Sequence, residues 1–329
     1  ENGKNPLDRD FILEMETTRY SRPFCLAGKH DNGLKALLFR FSPSFDELPV
    51  PDETRSEVVF VVDCSGSMQG SSIEEAKQAV DIALRSLSEG DLFNIILFGS
   101  SYDVYSKEPV VYSAKSLEKA LRYVHGISAN MGGTELRGPM EFLCGLAAPA
   151  YKLRDVVLLT DGEVSNPDQI IGMASGAREK MRVFTFGIGY GASHHLVKGI
   201  ARASGGASEM IQPGEMVQPV VLRQFSRMSQ PCVKNIGIRL SGGTIELPSR
   251  LPPLFEGDDV TLFAKVEAYE GGGEIVVSGM LKDTPVEWKA PVGPVVHDST
   301  IPVLWALNEI SLLKEGAGGG SSQTGRRES

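Results

Sequence analysis

Cysteine is scarce in this sequence. The 329 residues contain four cysteines, and no two of them form a CxxC pair. This spacing argues against a zinc site, and the small number excludes a dense disulfide framework. Cys64 and Cys144 stand in apolar stretches, where a buried free thiol is the usual state. We therefore expect a reducing compartment.

Basic charge and long apolar runs are also missing. Lysine and arginine number 33 against 42 aspartates and glutamates, which gives a net charge of −9. A nucleic-acid-binding protein usually carries a basic face, so this balance argues against that class. No apolar run approaches the length of a membrane span, and no signal-peptide pattern is present. The chain begins with Glu1 rather than Met, which predicts a fragment or a processed chain.

The middle of the chain alternates between apolar runs typical of strands and amphipathic runs typical of helices. A helix predicted over residues 72–89, for example, places Ile73, Ala76 and Val80 on one face and ends before Gly90. Strands alternating with helices of this length predict a doubly wound, mostly parallel sheet covered on both faces, an α/β fold. The strands are predicted at residues 58–62, 92–98, 155–160, 182–188 and 207–211, and the other helices at 116–124, 136–147, 167–177, 193–203 and 215–228.

The two flanks have the pattern of a second, β-rich unit. Short alternating runs separated by Gly, Pro and Asp occur near Leu37–Phe41 and again from residue 233 to 289, which is typical of an antiparallel sheet or sandwich. Each flank looks too small to fold alone, so we predict that they pack together and that the α/β domain is inserted between them. The predicted segments are residues 1–50 and 231–295 for the β-rich unit, 55–230 for the α/β domain, 296–315 for a helix and 316–329 for a flexible tail.

Oxygen-bearing side chains follow the strands of the α/β domain. The first strand ends at Asp63, and Ser65 and Ser67 come directly after it; Asp161 follows the strand at 155–160. Thr134 stands after a Gly-Gly turn and before a helix. Ligands of an open parallel sheet bind beyond the carboxyl ends of its strands, and oxygen donors suit hard cations such as Mg²⁺. The sequence thus predicts a metal site made of Asp63, Ser65, Ser67, Thr134 and Asp161.

The order and spacing of these five residues resemble the metal-ion-dependent adhesion site of von Willebrand factor type A (vWA) domains. The wider chain resembles the VIT–vWA proteins, among them the vault-associated poly(ADP-ribose) polymerase and the inter-alpha-trypsin inhibitor heavy chains, with a VIT module missing before the N-terminal strands. The resemblance implies a bound Mg²⁺, with Mn²⁺ or Ca²⁺ as alternatives, that an Asp or Glu of a protein partner completes. It also implies a cytoplasmic location, with secretion as the alternative, and no catalysis.

Other interpretations of the same residues remain. Taken singly, Asp63, the two serines, Thr134 and Asp161 are ordinary turn or helix-capping residues. A Mg²⁺-dependent phosphohydrolase of the haloacid-dehalogenase type also begins with an aspartate after the first strand, but it needs a second acid two positions on, where this chain has Ser65. A third alternative is a structural scaffold with an unused metal site.

Overall fold

The computed structural model describes residues 23–45, 56–149, 153–162, 164–246, 251, 253–281 and 284–316. Residues 1–22 and 46–50 of the N-terminal segment predicted for the β-rich unit, and residues 317–329 of the tail predicted at 316–329, lie outside these ranges. The described strands are β1 (Phe24–Lys29), β2 (Lys35–Phe41), β3 (Glu57–Asp63), β4 (Leu92–Phe98), β5 (Tyr102–Val104), β6 (Val110–Val111), β7 (Arg154–Thr160), β8 (Met181–Ile188), β9 (Ser208–Ile211), β10 (Val233–Leu240), β11 (Thr244–Glu246), β12 (Val260–Glu267), β13 (Glu274–Leu281) and β14 (Thr284–Val296). The helices are α1 (Ser71–Arg85), α2 (Ala114–His125), α3 (Arg137–Gly145), α4 (Pro167–Gly176), α5 (His194–Ser204), α6 (Val217–Ser229) and α7 (Thr300–Gly316).

The central sheet has the order β5-β4-β3-β7-β8-β9, with β6 paired to the outer side of β4. The strands from β4 to β9 in this order are parallel, whereas β5 and β6 run antiparallel at the edge. Alternate residues of β3 enter two different cores: Val58, Phe60 and Val62 face one side, and Val59 and Val61 face the other. A sheet buried on both faces needs strands that are apolar throughout. The predicted α/β fold class is confirmed.

Several predicted boundaries differ from the structure by a few residues, and the end of helix α1 is one of them. Helix α1 ends at Arg85, four residues before the predicted end. The Ser86 hydroxyl donates to the carbonyl of Ile82, and the Asp91 carboxylate then accepts the backbone N–H of Ser88. These local hydrogen bonds offer the backbone an alternative to the helix, so the chain turns before it reaches Gly90.

Strands from both flanks form a second sheet, with the order β10-β13-β14-β1-β2-β12-β11. Its pairs are antiparallel except for β1 and β14, which run parallel. Side chains from β1, β2, β12, β13 and β14 share one apolar core, and the edge strands β10 and β11 lie close to each other. This single sheet therefore encloses its own core. Helix α7 packs across β1, β2 and β12.

The β-rich part also contributes to the core of the α/β part. Phe255 is buried within that core, with its ring centroid 6.2 Å from the ring of Phe184 in β8. Close by, Arg227 of α6 donates to Asp258 across the same boundary. Apolar burial and an ion pair thus join the two parts. None of the described helices has the length and apolar character needed to cross a membrane.

Candidate metal centre

The candidate site lies where the strand order of the central sheet reverses. The chain passes from β3 to β4 on one side and then returns to β7 on the other side of β3. Val62 of β3 is level with Leu159 of β7, so Asp63 and Asp161 come from the ends of neighbouring parallel strands. Helices leave to opposite faces at such a switch point, which opens a crevice where ligands of open α/β sheets bind.

Asp63 is fully buried and is held by two hydrogen bonds. One carboxylate oxygen accepts the backbone N–H of Ser65 at 2.9 Å, and the other accepts the hydroxyl of Thr160 at 2.6 Å. Burial raises the pKa of Asp63, the two hydrogen-bonding partners oppose this increase, and the charge of Asp161 adds to it. A cation bound beside Asp63 would compensate both the burial of its charge and the repulsion from Asp161.

Ser65 and Ser67 present their hydroxyls together. The chain makes a short 3₁₀ turn at Gly66–Met68 directly after β3. The turn brings the two hydroxyl oxygens to 3.0 Å from each other, with Ser65 buried and Ser67 exposed. Buried Met68 anchors the turn in the core beneath it. The pair therefore forms a path of oxygen atoms from the buried carboxylate of Asp63 towards solvent.

The loop that carries Thr134 is joined to this turn through the backbone. Met131 donates its N–H to the carbonyl of Cys64 at 2.9 Å, and Gly66 donates its N–H to the carbonyl of Gly132 at 2.8 Å. Thr134 is half-buried two residues further on. Helix α3 starts after Leu136, which is its N-cap residue, so the helix-capping role considered for Thr134 is wrong.

Two glycines allow this close approach of loops. A Cβ atom at Gly99, after β4, would lie 2.3 Å from the Cβ of Met131, so a side chain there would force the loops apart. Gly132 has φ +81°, a conformation that favours glycine. These requirements explain the glycine after β4 and the first of the two glycines that precede Thr134 in the sequence.

Asp161 is buried beside Asp63, whose pKa its charge raises. Its backbone carbonyl accepts the N–H of Ser193 from the loop between β8 and α5. The next residue, Gly162, has φ +77° and has Ser193 directly against it. The Asp161 loop is thus fixed against its neighbour on the side away from Asp63.

The structure brings the five predicted residues to one edge of the sheet by different means. Hydrogen bonds join Asp63 to the Ser65–Ser67 turn, and electrostatic interaction links Asp63 and Asp161. Thr134 reaches the same edge through the backbone of its loop. Within the described ranges, no three His, Cys, Asp or Glu side chains gather as a possible metal site. A metal at this edge would therefore depend on hydroxyl ligands, and the assignment of these five residues as ligands stays a prediction.

Thr160 is a site residue that the sequence interpretation missed. Its hydroxyl donates to Asp63 and accepts the backbone N–H of Gly162 at 2.9 Å. It therefore connects the ends of β3 and β7 in one hydrogen-bond network. The available signal was a threonine at the end of the otherwise apolar run of β7, directly before Asp161.

A doubly wound sheet with acidic and hydroxyl side chains at its switch point defines the class of this protein: an α/β domain whose polar side chains gather at the carboxyl ends of its strands. Residues 56–210 match the von Willebrand factor type A domain family. This part of the chain is a vWA domain.

Known proteins with similar sequences carry the same domain. A von Willebrand factor A domain-containing protein of Dictyostelium discoideum is 35% identical over 288 residues, which cover 84% of this chain and 31% of the relative. The human von Willebrand factor A domain-containing protein 5A is 37% identical over 219 residues, 64% of this chain and 28% of the relative. The chain thus spans about a third of the length of the curated relatives it matches.

A solved structure has the same fold. The von Willebrand factor type A protein from Catenulispora acidiphila aligns with a TM-score of 0.54 at 17% sequence identity. The alignment covers 86% of this chain and 72% of that one, so it includes much of the β-rich part as well.

Proposed function

We propose that this chain is a protein-interaction module whose vWA domain binds a divalent cation, with Mg²⁺ as the first candidate and Mn²⁺ or Ca²⁺ as alternatives. Asp63, Ser65, Ser67, Thr134 and Asp161 would hold the ion. The observation that carries the proposal is the hydrogen-bonded set of Asp63, Ser65 and Thr160 beside a second carboxylate, Asp161, at the switch point.

The composition of this ligand set determines what the bound ion would do. Only two carboxylates face three neutral hydroxyls, so the ion would retain much of its positive charge, unlike an ion in a carboxylate-rich calcium site. Ser67 lies exposed at the outer end of the set. An acidic side chain of a partner protein would then replace water at the ion. The partner class we propose is therefore a protein presenting Asp or Glu.

The charged side chains around the candidate metal centre support the proposal that an acidic partner binds only when the cation is present. Glu135, beside Thr134, is exposed, and Arg137 forms an ion pair with Glu141. Without a bound cation, Asp63, Asp161 and Glu135 would repel an acidic partner. With it, the local charge becomes attractive, so binding of the partner would follow the metal concentration.

The first experiment measures the metal itself. Isothermal titration of the purified chain with Mg²⁺, Mn²⁺ and Ca²⁺ is expected to show one site, and both Asp63→Ala and Thr134→Ala are expected to lose it while remaining folded. Val111→Ser is the matched control because Val111 is exposed beside Leu92, at the amino end of β4 and far from the site edge. Unchanged metal binding in both site variants would refute the proposal.

The second experiment separates binding from catalysis. Partner capture in Mg²⁺ that EDTA and Asp63→Ala both abolish supports the interaction module. Turnover of a generic phosphate ester that depends on Asp63 would instead support a phosphohydrolase. Partner capture that EDTA does not change would support a structural scaffold with an unused metal site.

A further inference from the structure

Exposed apolar side chains in the vWA domain are concentrated at the edge that holds the candidate metal centre. Among described residues 56–230, five large hydrophobic side chains are exposed: Tyr102, Val111, Tyr190, Met216 and Leu222. Three of them lie on the side of the sheet where the parallel strands end: Tyr102 pairs with the last residue of β4, and Tyr190 and Met216 lie in the loops that follow β8 and β9. Exposed apolar groups gathered at one place mark interaction surfaces more reliably than scattered ones.

Tyr102 borders the site on the Thr134 side. It pairs with Phe98 at the end of β4, and its ring lies against the position of Gly138 in the first turn of α3. The ring centroid of Phe142 is 6.0 Å away, so the side chain is supported from below while 41% of its surface stays exposed. Tyr102 therefore presents a fixed, partly exposed apolar surface beside the candidate metal centre.

Tyr190 and Met216 border the site on the opposite side. Tyr190 is 74% exposed in the loop between β8 and α5, the loop that binds the Asp161 carbonyl through Ser193. Met216 is 77% exposed at the N-cap of α6, in the loop that follows β9. The starts of the two loops are joined, because Gly189 donates its N–H to the carbonyl of Ile211. Two exposed apolar side chains thus lie in neighbouring loops on the β8–β9 side of the candidate centre.

We propose that Tyr102, Tyr190 and Met216 form an apolar rim that selects partners whose acidic residue is flanked by apolar side chains. This inference rests on the metal-dependent function proposed above and adds the chemistry of the partner segment. The ion would take the carboxylate, and the rim would cover the neighbouring side chains. Because the rim lies on both sides of the centre, an extended segment with apolar residues before and after the acid fits it.

Two matched peptides test the rim. One has the sequence Gly-Leu-Asp-Leu-Gly and the other Gly-Ser-Asp-Ser-Gly, both with blocked ends. In saturating Mg²⁺, the leucine peptide is expected to bind about tenfold more tightly, because its side chains bury apolar surface against the rim. The double variant Tyr190→Ser/Met216→Ser is expected to remove this preference. Its Mg²⁺ affinity is expected to equal that of the wild type, and Val111→Ser, at the opposite edge, is expected to keep the preference.

The outcomes distinguish the rim from the metal centre. Equal binding of both peptides by the wild type, with both lost in EDTA, overturns the rim and leaves the metal-dependent function in place. A leucine preference that survives in the double variant also overturns the rim. A preference that persists in EDTA and in Asp63→Asn supports the rim but overturns the role of the ion. No binding of either peptide in Mg²⁺ counts against both.

Discussion

At the scale of single residues, the candidate site depends on Asp63, a carboxylate whose negative charge is unfavourable in its buried surroundings. Asp63 is buried next to Asp161, and hydrogen bonds from Ser65 and Thr160 offset part of the cost of burying its charge. A group whose pKa is raised on folding binds its proton more tightly in the folded state than in the unfolded chain. In metal-free protein, ionisation of Asp63 therefore lowers the free energy of unfolding. The decrease begins near pH 3.8, the ordinary pKa of this carboxyl group, and continues until the pH exceeds its higher pKa in the folded state.

The variant Asp63→Asn tests this consequence. Its amide oxygen can still accept the Ser65 N–H, and its NH₂ group can donate to the Thr160 hydroxyl in a reversed hydrogen bond. The side chain then carries no charge, so in EDTA at neutral pH we expect the variant to melt at a higher temperature than the wild type. The difference is expected to shrink as the pH falls below 4. Added Mg²⁺ is expected to stabilise the wild type and not the variant, because only binding to the folded state shifts the melt. A variant that is less stable than the wild type in EDTA would contradict this account.

Thr160 gives a second prediction at this scale. Thr160→Val keeps the shape of the side chain but removes the hydrogen bonds to Asp63 and Gly162. Partners that orient metal ligands typically contribute tenfold or more to affinity, so we expect Mg²⁺ binding to weaken by roughly that factor. Thr160→Ser retains the hydroxyl and is expected to retain the affinity. Titration calorimetry on both variants checks the pair, and equal affinities would show that Thr160 only fills space.

At the scale of secondary-structure elements, the central strand β7 depends on apolar character at successive positions. Val157 is fully buried between two helical layers. Val157→Asp would place an unpaired charge there, at a cost larger than a typical domain can tolerate, and we expect the protein to unfold. Val111→Asp, on exposed β6, is expected to fold normally. Circular dichroism and thermal melts compare the two, and a cooperative melt of Val157→Asp near that of the wild type would be incompatible with this burial.

The same contrast shows which elements the sequence reveals. Strands β3, β4, β7 and β8 are predicted nearly to the residue, because strands buried on both faces leave unbroken apolar runs. The edge strand β5 was missed, since its three residues are largely exposed and show no alternation. Strand β1 was missed for another reason. Its buried positions carry the small residues Cys25 and Ala27, whereas its exposed position carries Leu26, so the apolar residues do not mark the inward face although β1 forms a hairpin with β2.

The residues of the candidate site also differ in whether the sequence alone predicts them. The five predicted ligand residues stand out because polar residues follow apolar strands, and the fold places them at one edge. Thr160 is buried within the end of β7, where a threonine is also an ordinary strand residue. The apolar rim of Tyr102, Tyr190 and Met216 comes from strand β5 and two separate loops, so only the assembled fold brings it together.

At the scale of the whole molecule, Phe255 of the β-rich part is buried in the core of the vWA domain, so we expect the two parts to unfold as one unit. Phe255→Ala would leave a cavity against Phe184, and we expect a loss of about 3–5 kcal/mol in the free energy of unfolding. Because Phe255 belongs to the core of the vWA domain, both parts are expected to unfold together in one shifted transition. Denaturant titration measures this, with exposed Val303→Ala in α7 as the control. Two separate transitions in the wild type would contradict the coupling.

The parallel pairing of β1 with β14 has a mechanical consequence. Cys25 is level with Val292 and Gly28 with Val296, so the chain enters at one end of this pair and leaves at the other. Tension applied through the two flanks would pull the strands in opposite directions along their length and load their hydrogen bonds in shear. The vWA domain, inserted between β2 and β10, lies off this line of force. Pulling single molecules by residues 23 and 297, which leaves α7 out of the loaded segment, should therefore give the same first rupture force with Mg²⁺ and with EDTA.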